Sequence, residues 1–353
     1  MKLSDFGFDR WFAAHTGDIC REGQEIARVS AVDRNSFLVR NENGELPAEL
    51  SGKFLYAVDS PVDMPCVGDW VAVQYYNEGA SAIINGLFPR KSFLRRKSAG
   101  AAVDYQMIAA NIDTAFIIQS CHFDFNLPRL NRYLAMVADG DVEPVVILAK
   151  TDLISSDELN EKLAAVREAG ITARVITLSN LTGEGCDKFR QMLQPGRTCC
   201  LLGSSGVGKT TLLNRMIGRD ELYTGAVSGT GEGKHTTTRR QLIILDNGVM
   251  FIDTPGMREL GLLGAGEGLD KGFEDILELS KTCRYTDCTH TQESGCAVLA
   301  AIAGGELGRE RYSGYLKLRK ESEYHEMSYL EKRKKEREFG RFVKKVKKDM
   351  NKW

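Results

Sequence analysis

The sequence predicts a multidomain chain with an N-terminal all-β domain, a central α/β domain and a C-terminal α-helical domain that binds a metal. Three observations predict these parts: short strands separated by turn residues over 24–88, apolar strands that alternate with helix-length segments from 112 onward, and three cysteines beside one histidine at 283–296. The length of 353 residues agrees, because a domain averages about 150 residues. We place the domains at 1–95, 96–262 and 263–330, followed by a basic tail at 331–353.

The composition excludes several classes of protein. With 42% hydrophobic and 27% charged residues, the chain is close to an average globular protein, which argues against a disordered, collagen-like or disulfide-rich small protein. No apolar run reaches the roughly 18 to 20 residues that a membrane span needs, and Asp5 and Asp9 argue against a secretion signal. We therefore expect a cytoplasmic protein without a membrane partner, and we expect it to be a monomer.

The first part of the chain carries short strand patterns with turn residues such as Asn43-Gly44 between them. The candidate strands are 26–30, 36–40, 69–76 and 81–88. About 65 residues of short strands are typical of a small barrel or sandwich, such as an oligonucleotide-binding (OB) barrel. The basic segment 89–100 follows, which is typical either of a solvated connector or of a nucleic-acid contact.

The central part changes to buried strands that alternate with helices. The strands are expected at 113–120, 143–150, 173–179 and 197–204, and the helices at 128–139, 156–169 and 184–193. This alternation predicts a parallel sheet covered on both faces. Two further strands, RRQLIIL and GVMFIDTP, are joined at Asp246-Asn247-Gly248 as a hairpin.

A phosphate-binding loop (P-loop) lies between the strand TCCLL and the helix TTLLNRMI, and its sequence fits GxxxxGK[ST]. Its glycines let backbone N–H groups close around a β-phosphate at a helix N-terminus, Lys209 reaches the β- and γ-phosphates, and the Thr210 hydroxyl binds Mg²⁺. The alternative is a fortuitous glycine loop. The predicted phosphate-binding residues are Gly203, Ser204, Ser205, Gly206, Val207, Gly208, Lys209, Thr210 and Thr211.

Two later segments are expected to complete the phosphate site. Asp253 ends the strand FID and can hold the Mg²⁺ shell, and Gly256 in the same DTPG motif lets its N–H approach a γ-phosphate. In the loop 231–238, one threonine could bind Mg²⁺ and sense the γ-phosphate, although a plain threonine-rich turn is the alternative. The sequence does not distinguish between the three candidates, Thr236, Thr237 and Thr238.

The segment Ala149-Lys150-Thr151-Asp152 closes the strand VVILA and predicts a guanine site. The Asp152 carboxylate can accept hydrogen bonds from guanine N1–H and the 2-amino group, a donor pair that adenine lacks. The Lys150 stem can lie over the ring, and Ser179-Asn180 at the end of the next strand suits a backbone contact to the base oxygen. The expected ligands are GTP or GDP with Mg²⁺, and Asp152 argues against the alternative of an ATP-dependent metabolic kinase.

The spacing Cys283-x4-Cys288-x-His290-x5-Cys296 supplies three thiolates and one imidazole. Four such ligands are typical of one structural Zn²⁺. The alternatives are an iron–sulfur site or reduced cysteines that lie close by coincidence. In a reducing compartment, clustered cysteines favour metal over disulfides.

The order of these motifs is unusual, because the base-reading Asp152 precedes Lys209, whereas in ordinary GTPases the P-loop comes first. The same sheet can form if the chain is circularly permuted. Over roughly 25–325, the chain resembles the circularly permuted, small-ribosomal-subunit-dependent GTPase A family (RsgA, also called YjeQ). The resemblance rests on VGDWV, GSSGVGKTT, GEGKHTTT, DTPGMRE, CRYTDCTHTQESGC and RYSGYLKLRKE.

The resemblance implies an OB-like barrel, a circularly permuted P-loop GTPase domain and a zinc-binding helical domain. It also implies a GTPase that binds the small (30S) ribosomal subunit and its 16S rRNA and acts in late maturation. Met257 occupies the place where some GTPases carry a catalytic glutamine, so we expect slow hydrolysis that the subunit stimulates. The expected catalytic residues are Lys209 and Gly256, with His235 as a candidate to position water.

Two residues depart from the family pattern. The family usually has Asn at the position of Ala149, and that side chain normally ties the base site to the P-loop, so its loss is expected to loosen nucleotide binding. The family also favours Ser-Ala where this chain has Ser179-Asn180.

A second functional interpretation is a GTP-gated RNA-binding module whose hydrolysis is incidental. The variant Lys209→Ala distinguishes the two interpretations: if it still binds RNA and supports growth, hydrolysis is incidental.

The tail is strongly basic, with a net charge of +7 over 331–353 against −1 for the whole chain. Apolar residues recur in it at helical spacing: Phe339, Phe342, Val343, Val346 and Met350. We therefore predict a basic amphipathic helix. Such a helix is typical of docking on the protein body, of contact with ribosomal RNA, or of a membrane surface, and no lipidation motif accompanies it.

Overall fold

The computed structural model describes residues 1–33, 36–97, 105–217, 240–253 and 271–326. Within them, eleven strands form one continuous sheet in the order β10-β9-β8-β11-β13-β12-β1-β2-β3-β5-β4, and β6 pairs with β7 separately. The strands of the N-terminal half are β1 (Glu25–Val32), β2 (Phe37–Asn41), β3 (Gly44–Leu50), β4 (Trp70–Tyr76), β5 (Ser81–Leu87), β6 (Phe93–Lys97) and β7 (Tyr105–Ala110). The strands of the C-terminal half are β8 (Thr114–Ser120), β9 (Glu143–Ala149), β10 (Arg174–Leu178), β11 (Thr198–Leu202), β12 (Arg240–Ile244) and β13 (Met250–Asp253).

Helices lie before the barrel, within it and around the sheet. They are α1 (Arg10–Ala14), α2 (Thr16–Ile19), α3 (Gly52–Ala57), α4 (Leu127–Asp139), α5 (Ser156–Glu168), α6 (Cys186–Met192), α7 (Lys209–Ile217), α8 (Glu274–Ser280), α9 (Ala297–Gly304) and α10 (Arg309–Glu326). Short 3₁₀ turns occupy Leu3–Phe6, Pro61–Asp63, Asn77–Gly79 and Thr151–Leu153.

The N-terminal domain is a closed five-stranded barrel, as predicted. Strand β1 pairs with β2 and also with β4, which closes the ring through β3 and β5. Small and β-branched side chains fill its interior, among them Val29, Val39 and Ile84. The prediction missed β3, whose sequence GELPAEL contains few apolar residues and the strand-disfavoured Pro47.

The basic segment 89–100 is not a solvated connector where the structure describes it. Residues 93–97 form β6, which pairs antiparallel with β7. Arg90 forms two hydrogen bonds with the buried carboxylate of Asp69, at 2.7 and 2.8 Å, and Arg95 forms two with Asp139, at 2.8 and 2.9 Å. These two arginines therefore stabilise the protein itself, because partners distant in sequence neutralise their charges.

The central domain has the predicted parallel sheet with helices on both faces. Strands β8, β9, β10, β11 and β13 run parallel, and β12 pairs antiparallel with β13 in the predicted hairpin. Apolar residues of α4 and α5 pack on one face, and those of α6 and α7 pack on the other. The parallel strands place their carboxyl ends, and the loops that follow them, along one edge.

The barrel and the central sheet are continuous, because β1 pairs with β12 at Ala31 and Gln241. Arg28 lies at this junction with 1% of its surface exposed. Its guanidinium donates hydrogen bonds to the carbonyl oxygens of Phe6, Gly68 and Asn111, at 2.5 to 3.1 Å. One buried side chain therefore joins the N-terminal segment, the barrel and the segment before β8.

The C-terminal region is helical, as predicted, and has its own small core. Phe273, Ile276, Val298, Leu307 and Tyr315 are buried together with two of the clustered cysteines. Helix α10 lies against α4, where Arg132 forms two hydrogen bonds with Glu321, at 2.6 and 3.1 Å. No helix among the described residues is long and apolar enough to cross a membrane. The basic tail lies outside the described residues.

Candidate functional site

The predicted P-loop follows β11 and leads directly into α7. Three of its glycines, Gly203, Gly206 and Gly208, have positive φ angles of 147°, 77° and 104°. These angles favour glycine, and a Cβ at Gly203 would lie 2.3 Å from the carbonyl oxygen of Ile118. The loop therefore has the backbone freedom that a phosphate-binding turn at a helix N-terminus requires.

Two side chains hold the loop in shape. The ammonium of Lys209 donates hydrogen bonds to the carbonyl oxygens of Gly203 and Ser204, at 2.7 and 2.6 Å. The Ser204 hydroxyl donates to the carboxylate of Asp124, which also forms an ion pair with Arg129 at 2.6 Å. Lys209 thus lies against the same loop that is predicted, together with Lys209, to bind the phosphates of the nucleotide. Ser205, Thr210 and Thr211 are exposed, whereas Val207 is buried in the core beneath the loop.

The predicted base-binding segments lie at the same edge. Ala149 ends β9 and is buried, Lys150 adopts a left-handed backbone with φ 61°, and Thr151–Leu153 form a 3₁₀ turn. Asp152 is exposed, so its carboxylate is accessible to a ligand, and it accepts a hydrogen bond from the Ser179 hydroxyl. Ser179 is itself fully buried at the end of the neighbouring strand β10.

Asn180 connects the base-binding segments with the P-loop. Its side-chain amide Nδ2 donates a hydrogen bond to the carbonyl oxygen of Gly208 at 3.1 Å. Its own carbonyl oxygen accepts a hydrogen bond from Arg215 of α7 at 2.8 Å. The structure therefore brings together the residues predicted to bind the base and the residues predicted to bind the phosphates.

The second phosphate-side segment is described only in part. Asp253 ends β13, which lies beside β11 and runs parallel to it, so its backbone reaches the edge that carries the P-loop. The other predicted residues of this side lie outside the described residues: His235, Thr236, Thr237, Thr238, Gly256 and Met257.

The four predicted metal ligands converge on one point. The ligand atoms of Cys283, Cys288, His290 and Cys296 all lie within 4.8 Å of one another. His290 Nδ1 lies 3.6 Å from the Cys283 sulfur and 3.5 Å from the Cys296 sulfur, and these two sulfurs are 3.9 Å apart. Tetrahedral Zn²⁺ with bonds of about 2.3 Å to sulfur and about 2.0 Å to nitrogen separates its ligand atoms by about 3.5 to 3.8 Å. The donor set and the spacing therefore fit a structural zinc site.

The surroundings favour the metal-binding forms of His290 and Cys283, whereas burial and the neighbouring sulfurs of Cys296 and Cys283 raise the pKa of Cys288 to about 11 and disfavour its thiolate. Burial, reinforced by the charge of Arg319, lowers the pKa of His290 and so favours the neutral imidazole. Burial alone raises the pKa of Cys283, but backbone N–H groups of Ala297 and Val298 donate to its sulfur and hold the pKa below its ordinary value. Two further groups fix the site: Leu299 N–H donates to the Cys296 sulfur, and the Tyr312 hydroxyl donates to the His290 carbonyl oxygen.

Sequence reasoning missed three contacts that shape the site. Asp124, which accepts a hydrogen bond from Ser204, follows β8 at the carboxyl edge of the sheet. That position could have identified it as a residue near the P-loop. Arg215 and the side chain of Asn180 gave no signal, because their partners are distant in sequence.

Comparisons with known proteins agree with this arrangement. A family model described as RsgA GTPase matches residues 87–263. A curated relative from Opitutus terrae, named small ribosomal subunit biogenesis GTPase RsgA, is 39% identical over 334 residues, which cover 92% of this chain and 90% of the relative.

Solved structures show the same fold. The crystal structure of YjeQ from Thermotoga maritima has a TM-score of 0.63 at 25% identity and covers 84% of this chain and 97% of its own. The structure of YloQ, titled a circularly permuted GTPase, has a TM-score of 0.60 at 23% identity and covers 86% of this chain and 96% of its own. The chain belongs to the RsgA GTPase family, and its central domain has the circularly permuted fold.

Proposed function

We propose that this protein is a GTPase that binds the small ribosomal subunit, acts in its late maturation, and hydrolyses GTP to GDP and phosphate with stimulation by the subunit. The observation that carries the proposal is the common edge at which Asp152 and the P-loop lie, joined by Asn180. The name of the relative from Opitutus terrae supports the ribosomal part of the proposal.

The nucleotide is proposed to bind with its base at 149–152 and 179–180 and its phosphates at 203–211. Asp152 accepts hydrogen bonds from guanine, and Lys209 neutralises charge on the β- and γ-phosphates. Thr210 and Asp253 are proposed to hold Mg²⁺, which neutralises charge on the transferred phosphoryl group when it is bound. Gly256 is proposed to contact the γ-phosphate, one threonine of 236–238 to complete the Mg²⁺ shell, and His235 to position the attacking water.

Subunit binding is proposed to use 16S rRNA contacts of the barrel and the basic tail. Arg90 and Arg95 are engaged in internal ion pairs, so the segment 89–100 contributes less than its charge suggests. Phosphate contacts dominate such binding, so we expect it to weaken steeply as salt is raised. We further propose a cytoplasmic monomer with one structural Zn²⁺, and domain boundaries near 95, 262 and 330.

The deciding experiment measures phosphate release from GTP and from ATP, with and without purified small ribosomal subunits. We expect slow release from GTP alone, strong stimulation by the subunits, and no comparable release from ATP. Equal use of ATP would overturn the assignment of Asp152. GTP hydrolysis that subunits leave unchanged would overturn the ribosome-activated function and favour an RNA-binding module with incidental hydrolysis.

A further inference from the structure

We infer that Asn180 is a positioning residue that fastens the base-binding segment to the P-loop, in a chain whose position 149 cannot do so. The inference rests on the proposed nucleotide site. Ala149 is 1% exposed and its methyl group packs in the apolar core, so it offers no hydrogen bond to the loop. Asn180 supplies an amide donor from the neighbouring segment instead, 3.1 Å from the Gly208 carbonyl oxygen.

The accepting residue lies at a sensitive point of the loop. Gly208 directly precedes Lys209 and has a φ of 104°, and a Cβ there would lie 2.9 Å from Asn180 Nδ2. The amide therefore packs directly against the backbone whose N–H groups are proposed to surround the phosphates. The same carbonyl oxygen accepts a helical hydrogen bond from Leu212 N–H at 2.9 Å, so the amide adds a second bond at the peptide that connects the loop with α7.

The same residue is tied to the base-reading carboxylate through its neighbour. Ser179 donates to Asp152, and its hydroxyl accepts hydrogen bonds from the N–H groups of Leu181 and Thr182, each at 3.1 Å. These bonds hold the turn that presents Asn180. Asp152, Ser179, Asn180 and Gly208 thus form one continuous path from the base site to the phosphate site.

A second bond from α7 supports the turn. Arg215 donates to the main-chain oxygen of Asn180 at 2.8 Å, so residue 180 contacts both the P-loop and the helix that follows it. The Oδ1 atom of Asn180 is buried and has no hydrogen-bond donor among the described residues. Buried amide oxygens usually have a partner, and a water or a nucleotide atom can supply one here.

The test is a double-mutant cycle on the isolated full-length protein, read out as the dissociation constant of fluorescently labelled GDP. We expect Asn180→Ala to weaken binding about fivefold to tenfold, the effect of one net hydrogen bond. We expect Ala149→Asn to restore at least half of that loss when it is added to Asn180→Ala. If Asn180 contributed only local packing, an asparagine at position 149 would not restore the lost GDP affinity.

A matched control and an isosteric variant complete the design. Asn247→Ala likewise removes one side-chain hydrogen bond to the backbone, here accepted from the Val249 N–H at 3.1 Å. It lies in the β12–β13 turn at the opposite end of β13 and should leave binding unchanged. Asn180→Asp keeps the size of the side chain but opposes a carboxylate to the Gly208 oxygen, so it should bind more weakly than Asn180→Ala.

The inference is overturned if Asn180→Ala binds like the unaltered protein, or if Asn180→Asp binds at least as tightly as Asn180→Ala. It is also overturned if the double variant melts like the unaltered protein yet regains no affinity. If the double variant unfolds at a lower temperature than the unaltered protein, the GDP affinities of Asn180→Asp and Asn180→Ala decide whether the inference holds. Ribosomal subunits are absent throughout, so a failure of subunit stimulation leaves this result untouched, whereas an unaltered protein that binds no guanine nucleotide overturns the proposed function itself.

Discussion

The buried hydroxyl of Ser179 donates a hydrogen bond to the exposed carboxylate of Asp152, although the two residues lie on different strand ends. The same hydroxyl accepts from two backbone N–H groups of its own turn, so its position is fixed. The carboxylate that is proposed to read the base is therefore oriented by a rigid partner before any ligand binds. This pre-organisation makes the choice of base sensitive to the chemistry of Asp152.

We predict that Asp152→Asn exchanges the preferred base. The side-chain amide has one accepting oxygen atom and one donating nitrogen atom, so its two atoms cannot both accept from guanine, but its nitrogen can donate to the carbonyl that xanthine carries in place of the 2-amino group. GDP affinity should fall about 100-fold or more, and xanthosine diphosphate should bind more tightly than GDP. Competition against a fluorescent nucleotide measures the dissociation constants of GDP and of xanthosine diphosphate.

The control for this exchange is Asp157→Asn, which alters an exposed carboxylate in the first turn of α5. It removes the same charge five residues away and should leave both constants unchanged. Full retention of GDP affinity by Asp152→Asn would remove Asp152 from the base site.

We predict that Arg28 is a main determinant of the stability of the barrel junction. Its partners are main-chain oxygens of three separate segments, and burial lowers its pKa to about 10, still above neutral pH. Arg28→Met leaves the carbonyl oxygens of Phe6 and Asn111 without their side-chain donor, whereas the Gly68 oxygen keeps a hydrogen bond from Asn111 Nδ2 at 3.1 Å. The loss should cost about 3 kcal/mol in the free energy of unfolding. Urea denaturation followed by tryptophan fluorescence measures the loss, because Trp70 lies 5.5 Å from the guanidinium.

Arg40→Met is the matched control, since Arg40 forms a partly exposed ion pair with Glu45 at 3.8 Å on the barrel surface. Such pairs contribute about 0 to 1 kcal/mol. Equal losses for the two variants would contradict the assigned role of Arg28.

The strands and helices of the central domain were predictable to within a few residues because their apolar runs are long and continuous. β8 and β9 are examples, since almost all of their residues are buried on both faces. Strand β6 was not predictable, because Arg95 and Arg96 give it the appearance of a solvated segment. Its stability depends on Asp139 and on pairing with β7, which local sequence does not reveal.

Those predicted site residues that the structure describes in the base-binding segments and the P-loop lie along one sheet edge, because strand ends are encoded locally; their roles stay predictions. What the sequence did not reveal was the connection between them. The expectation that Ala149 loosens the site followed from position 149 alone, whereas the contact between Asn180 and Gly208 depends on the distance between two loops in space. Asp124 was missed for the same reason, since its partner Ser204 lies 80 residues away.

We predict that removal of one thiolate from the metal site unfolds the C-terminal region. A structural zinc site contributes about 10 kcal/mol in small zinc-binding peptides, and few residues form the core around Cys288 and Cys296. Cys288→Ser should lose the metal, and amides of 271–326 should lose protection from hydrogen exchange. Elemental analysis should find one zinc per chain in the unaltered protein.

Cys20→Ser is the control for metal loss, because Cys20 is a half-buried free cysteine outside the cluster. It should retain one zinc and the full exchange protection. Iron and sulfide in place of zinc would contradict the assigned metal, and unchanged protection in metal-free Cys288→Ser would contradict its structural role.

We predict that Asp9 contributes stability at neutral pH that is lost in acid. Its carboxylate accepts hydrogen bonds from Trp11 N–H and Phe12 N–H at the start of α1 and pairs with Lys91. Burial alone raises its pKa, but Lys91 and these N–H groups outweigh burial and hold the pKa below its ordinary value. The stabilisation is therefore complete above the unfolded pKa, near 4, and disappears as the pH falls through the lower folded value.

The variant Asp9→Asn separates the charge from the cap. Asparagine caps a helix nearly as well as aspartate, so the variant loses mainly the pair with Lys91. The difference in melting temperature between the unaltered protein and Asp9→Asn, followed by the fluorescence of Trp11 and Trp70, should be largest at pH 6 to 7 and should shrink towards zero below about pH 3. Asp9→Ala also loses the cap and should remain less stable at every pH, by about 1 kcal/mol. A difference for Asp9→Asn that grows in acid would show that Asp9 is not stabilised in its ionised form.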